Sequence, residues 1–203
     1  MLTLRDVLVR RGPNTVVEAL NLEVRAGSIF WVVGPNGAGK TSLLRVMAGL
    51  DTPGAGTVTW TSTPEEPFLY FQSEMAIPPS ATVGDWERLT LRVLPGRCDG
   101  GRTSLWPGAG PDRRTGRLST GERKRLLLDS LLRRPGPLLL DEPFEHLSPD
   151  AKAALAEILE ERARTRVVVV ATNQATRRAE RDGGLRLEGG VAEPLTGERA
   201  CLR

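Results

Sequence analysis

The chain has 203 residues, a formal net charge of +3 and a sequence pI of about 9.3. That length can bury a full core as one domain, with room for a small appended lobe, and no internal repeat or heptad run divides it. Only Lys40, Lys124 and Lys152 are lysines among the 28 basic residues. The arginine pairs at 113–114, 133–134 and 177–178 read as solvated faces, and no aromatics interleave with them as a nucleic-acid surface would require. Cys98 and Cys201 lie in no metal-ligand spacing, which points to a reduced cytosolic compartment. The first residues carry no apolar signal core, and the longest apolar runs, such as 167–171, are too short to span a bilayer. Any membrane part is therefore expected from another chain.

In chain order, residues 4–9 and 16–24 read as strands around a turn at Gly12-Pro13-Asn14. The apolar run 29–33 reads as a buried strand, and Gly34-Pro35-Asn36-Gly37-Ala38-Gly39-Lys40-Thr41-Ser42 follows it. Residues 43–49 then show helical spacing. Strand, glycine loop and helix form the context of a phosphate-binding loop. Its glycines let successive N–H groups point inward at phosphate oxygens, and the helix adds its positive dipole end. Lys40 is placed to reach the β- and γ-phosphates and the Thr41 hydroxyl to ligate Mg²⁺.

Residues 57–61 alternate like an exposed strand, and 68–71 read as a short strand ending at Gln72. Residues 82–94 read as a helix with Thr82 as N-cap. The stretch 95–116 is crowded with glycine and proline, so no regular element is expected there, and Trp106 reads as a packing anchor. Leu118-Ser119-Thr120-Gly121-Glu122 opens a helix running to residue 132, with Ser119 and Glu122 at capping-box spacing. A buried strand, 138–140, ends in Asp141-Glu142-Pro143. Ser148-Pro149 begins a helix to about residue 164, and 167–170 is a β-branched buried strand. A short helix at 175–181 and a terminal hairpin at 185–191 complete an α/β fold with a largely parallel sheet.

Taken together, the phosphate loop, Gln72, the 118–122 motif and Asp141-Glu142 resemble an ATP-binding cassette (ABC) ATPase, the nucleotide-binding subunit of an ABC transporter. The likeness runs from about residue 2 to residue 191. It implies a P-loop fold with a RecA-like, mostly parallel core, an N-terminal antiparallel β part, and a helical subdomain at about 73–132, all within a single domain 1–203. The implied cofactors are ATP and Mg²⁺. Gly34, Pro35, Asn36, Gly37, Ala38, Gly39, Lys40, Thr41 and Ser42 would hold the phosphates. Thr41, Gln72 and Asp141 would organise the metal, the Gln72 amide would reach the ion or the attacking water in catalysis, and Glu142 would act as general base. Ser119 and Gly121 would face the γ-phosphate of a second cassette, making a composite site and an ATP-dependent dimer, homomeric or heteromeric. An integral membrane permease is the second implied partner, placing the subunit on the cytoplasmic face of the membrane. No nucleic acid is expected.

Several positions depart from that pattern. Asn173 stands where the family carries a phosphate-contacting histidine, as a candidate catalytic residue: its neutral amide can hydrogen-bond a phosphate oxygen but cannot take the charged imidazolium form. Thr120 replaces a glycine, Glu122 a glutamine and Ser148 an aspartate. The usual adenine-stacking aromatic is missing, with Arg10 or Arg11 nearby; a guanidinium can stack on a base. His146, the sole histidine, reads as an exposed or interface residue. Length and Asp141-Glu142-Pro143-Phe144 are also similar to the haem-exporter ATPase of cytochrome c maturation. Two other readings stand beside the transporter one: a soluble cassette acting on DNA or ribosomes, and a slow-hydrolysing regulatory module.

Overall fold

The computed structural model describes residues 1–61, 68–73, 75–93, 103–106, 108–173 and 176–195, with backbone alone for 201–202. In chain order its elements are β1 (Leu2–Arg11), β2 (Asn14–Val24), β3 (Ile29–Val33), α1 (Lys40–Met47), β4 (Ala55–Trp60) and β5 (Leu69–Gln72). They continue with α2 (Val83–Val93), α3 (Thr120–Leu132), β6 (Leu138–Asp141), α4 (Pro149–Ala163), β7 (Val168–Thr172), α5 (Arg177–Asp182), β8 (Gly184–Glu188), β9 (Val191–Leu195) and β10 (Cys201–Leu202).

An antiparallel sheet has the order β10-β2-β1-β4. Its strands run longer than the apolar pattern suggests, because the pattern changes phase. Leu2 and Leu4 are buried, then Val7 and Val9, so one residue is extra. Asp6 absorbs it in a left-handed conformation (φ 48°), where the β1–β2 register shifts. Asn21 pins this bulge: its side-chain oxygen accepts the Asp6 N–H at 3.0 Å and its amide donates to the Asp6 carboxylate at 2.9 Å. The bulge returns the apolar set to the buried face. The pairing of β10 with β2 lies beyond the pattern read from the sequence.

The second sheet has the order β5-β6-β7-β3-β8-β9, parallel except for the β8–β9 hairpin. Its register aligns the strand ends: Gln72 pairs with Asp141, Asp141 with Ala171, and Val33 with Thr172. The loops after β3, β5, β6 and β7 therefore leave from one edge, where parallel α/β sheets place ligand sites. Alternate strand residues feed two cores. Trp31, Leu140 and Val170 pack with α3 and α4 residues on one face, and Val32, Leu139 and Val169 with α1 and the antiparallel sheet on the other.

Local signals predict most boundaries. Thr82 caps α2 and the Ser119–Glu122 capping box opens α3. Ser148, followed by Pro149, caps α4. The expected helix at 175–181 begins later, at Arg177, because the Thr176 hydroxyl accepts the Ala179 N–H; residue 175 lies outside the described residues. So do residue 94 and, within the Gly/Pro-rich stretch, 95–102 and 107. The described rest of that stretch holds a 3₁₀ turn at Thr115–Arg117 and an isolated antiparallel bridge between Arg114 and Thr82. Side chains pin it down: Thr115 donates to the Pro78 carbonyl at 2.6 Å, and buried Asp129 of α3 accepts the Thr103 N–H and hydroxyl at 2.7 and 2.8 Å. Trp106 is buried in the main core, so it anchors more than its own loop.

Candidate nucleotide-binding site

The glycine loop leaves β3 with the Gly34 N–H donated to the Thr172 carbonyl at 3.2 Å. Gly39 has φ 95°, and a Cβ there would lie 2.2 Å from a Val16 methyl, so only glycine fits. No side chain caps α1 at Gly39, which leaves the N–H groups of its first turn open to a ligand. Beside them is a cavity of about 490 Å³. Asn36, Gly37, Lys40, Thr41 and Ser42 line it together with Gln72, Asp141 and Glu142, and Arg11 and the Arg45–Asp51 ion pair also border it. The Asp51 carboxyl is held below its ordinary value by the hydrogen bond from Arg45.

Lys40 is buried. Its Nζ donates to the Gly34 and Pro35 carbonyls at 2.8 and 3.2 Å and lies 3.2 Å from Glu142 Oε1. The Thr41 hydroxyl donates to Asp141 Oδ2 at 2.6 Å. A hydroxyl, a buried carboxylate and the Gln72 amide thus border one cavity beside uncapped N–H groups. These are hard oxygen donors next to an anion cradle, and they fit a Mg²⁺-bound phosphate chain.

Glu142 follows β6 in a left-handed conformation (φ 48°), with its N–H donated to the Ala171 carbonyl at 3.0 Å. Burial pushes its carboxyl above the ordinary value; the Lys40 ammonium and the Asn173 backbone N–H act against that, and Glu145 adds to it. A carboxyl raised in this way is a stronger proton acceptor than a free one. The Asn173 side-chain amide donates to Glu145 Oε1 at 3.3 Å, and Asn173 is not among the described residues that line the cavity. Gln174, a neighbour that could take over its contact, lies outside the described residues.

Ser119 and Gly121 do not line that cavity either. Ser119 is exposed, and a Cβ on Gly121 would come 2.9 Å from the His146 carbonyl, so α3 starts close against the loop after β6. The Glu122 carboxylate accepts the Ser119 N–H at 2.7 Å and pairs with Arg113 at 3.0 Å. Its charge is turned back into the cap, and the Ser119 N–H holds its carboxyl low. His146 is exposed, with φ 59°.

Two residues not singled out from the sequence also belong here. Glu145 receives the Asn173 amide. Lys124, buried on α3, donates to the Glu142 carbonyl at 2.6 Å and the Ser73 hydroxyl at 3.1 Å. Burial holds the Lys124 ammonium down at about 8, against the pull of Glu145, Glu142 and Asp141. The available signal was a lysine kept at a core-facing helix position in a chain that otherwise uses arginine.

Comparison with known families matches residues 17–145 to the family described as ABC transporter. The chain belongs to the ABC transporter family. Among its relatives, the aliphatic sulfonates import ATP-binding protein SsuB of Escherichia coli K12 is 33% identical over 172 residues, covering 78% of this chain and 64% of the relative. SsuB 2 of Paraburkholderia xenovorans LB400 is 36% identical over 158 residues, covering 71% and 58%. The chain thus spans about three-fifths of the length of these curated relatives.

Solved structures share the ABC cassette fold. An ATP-binding subunit of an ABC transporter superposes with a TM-score of 0.80 at 21% identity, covering 96% of this chain and 89% of the other. A dimeric ATP-binding cassette in a post-hydrolysis state with ADP and Pi gives 0.74 at 19% identity, covering 100% and 98%. The expected α/β cassette is borne out. Among the described residues, no helix is long and apolar enough to cross a membrane.

Proposed function

We propose that this cassette binds Mg-ATP and hydrolyses it as the ATP-binding subunit of an ABC transporter, driving a separate permease through ATP-dependent dimerisation. The convergence of Lys40, Thr41, Asp141 and Glu142 on one cavity carries the reading. Lys40 and the N–H groups of α1 hold the triphosphate. Thr41 and Asp141, with Gln72, hold Mg²⁺, whose charge would offset the negative charge of the phosphates. Glu142 accepts the proton of the attacking water. Ser119 and Gly121 act on the nucleotide of a second cassette, consistent with their place away from this chain's own cavity.

In this reading residues 1–203 form one cassette, with about 73–132 as its helical lobe, working at the cytoplasmic face of the membrane. Relatives named for sulfonate import support a transport role. The reading assigns no cargo and favours neither import nor the export suggested by the haem-exporter likeness. The test is co-purification of the untagged chain with a membrane protein, followed by ATP hydrolysis by that complex. A chain that purifies instead with nucleic acid or ribosomes overturns it. The placement of Asn173 off the cavity wall favours a second reading, a module that binds ATP and dimerises but turns over slowly; the rate of the same complex separates the two.

A further inference from the structure

Lys124 joins three parts of the cassette through one ammonium group. It sits on α3, the helix opened by Ser119 and Gly121, and is only 5% exposed. Its Nζ donates to the carbonyl of Glu142 at 2.6 Å and to the hydroxyl of Ser73, the residue after Gln72, at 3.1 Å; it lies 5.7 Å from the Phe71 ring centroid.

The contact with Glu142 matters because of that residue's backbone. A left-handed φ is uncommon for a side chain with a Cβ, and it persists only where surrounding contacts over-determine it. Here the Glu142 N–H is tied to the Ala171 carbonyl at 3.0 Å and its carbonyl to Lys124. A cationic donor makes a stronger bond to a carbonyl than a neutral one. With both ends of the residue held, the carboxylate extends toward Lys40 at 3.2 Å.

We propose that Lys124 is a positioning residue: it holds Glu142 in the left-handed conformation that aims its carboxylate at the phosphate loop, and it ties that aim to the seating of α3 and of the Gln72–Ser73 turn. The helix that would read the second cassette's nucleotide is then mechanically linked to the base of its own site. This rests on Glu142 being the base.

The test compares Lys124→Met, which keeps most of the apolar stem but removes the ammonium and donates nothing, with Lys124→Arg, which keeps a charged donor. Mg-ATP affinity, melting temperature, kcat and KM of the full chain are measured for both, alone and combined with Glu142→Gln. Methionine is expected to lower kcat by ~10²-fold, the scale of an ångström-size misplacement of a reacting group, with ATP affinity within about threefold of the parent. Arginine should recover most of the rate. In the Glu142→Gln background, Lys124→Met should cost nothing further. If methionine prevents folding, Lys124→Gln, a neutral donor, should show a smaller loss of the same kind.

A methionine variant at parental kcat, beside an inactive Glu142→Gln, overturns the role of Lys124 alone. A loss that persists undiminished in the Glu142→Gln background, or one that appears in KM and ATP affinity instead of kcat, also overturns it. A Glu142→Gln variant hydrolysing at the parental rate removes the base itself and the inference with it.

Discussion

The Lys40 ammonium lies 3.2 Å from the Glu142 carboxylate, with the two side chains only 6% and 15% exposed. The cation assigned to the triphosphate thus already neutralises the residue assigned as base. In the proposed function, nucleotide binding would exchange one anionic partner for another. Lys40→Ala removes the phosphate's cation and leaves a buried carboxylate without its own. A hydrogen bond to a charged group contributes about 1.5–3 kcal/mol, so ATP affinity should fall by at least ~10-fold to 10²-fold. Calorimetry with Mg-ATP measures it, and unchanged affinity would remove Lys40 from the phosphate site.

Glu142→Gln keeps the shape of the side chain and its backbone bonds but loses the proton acceptor. The variant should still bind ATP and should accumulate as an ATP-bound dimer. Gel filtration with and without Mg-ATP reads this directly. A variant that stays monomeric at saturating nucleotide and hydrolyses at the parental rate shows that Glu142 is not the base.

Features set by neighbouring residues were legible in the sequence. The runs that became β3, β6 and β7 are apolar because both of their faces are covered, and the Ser119–Glu122 box closes within one turn. Distant contacts were not legible. Nothing local says that Asp6 takes the left-handed bulge that restores the phase of β1, since its partner Asn21 is 15 residues away. The aim of the Asn173 amide depends on Glu145, 28 residues earlier, and the role of Lys124 on Ser73, 51 residues earlier. The composition pattern marks such residues as unusual without naming their partners.

Asp129 supplies a stability prediction. Burial raises its carboxyl above the ordinary value of 3.8, against the bonds from Thr103. Between the unfolded and folded values, the folded state holds more protons than the unfolded chain. This group's contribution therefore declines as pH rises through that window. Asp129→Asn keeps an acceptor for Thr103 and removes the titration. The melting temperature of the variant, relative to the parent, should climb as pH rises from about 4 toward neutrality. A difference that stays flat or runs the other way, measured by thermal scans across that range, shows that the buried charge carries no such cost.

Asn173 carries the sharpest prediction about turnover. Its amide donates to Glu145 Oε1 at 3.3 Å, so the side chain is spent on Glu145 instead of a phosphate. The backbone N–H, which helps hold the Glu142 carboxyl down against its burial, is kept by any substitution except proline. Asn173→Ala should therefore leave hydrolysis within about threefold of the parent. A missing donor to a developing phosphoryl charge costs ~10²–10³ in rate, so the parent itself should be slow as a homodimer. Asn173→His offers an imidazole of longer reach that can carry a proton, and it should raise turnover by up to that factor if the ring reaches the phosphate instead of replacing the amide on Glu145. Steady-state hydrolysis by the three proteins decides the matter. A fast parent that loses ~10² on substitution by alanine would put the Asn173 amide in the chemistry after all, with the amide turned from Glu145 to the nucleotide once ATP is bound.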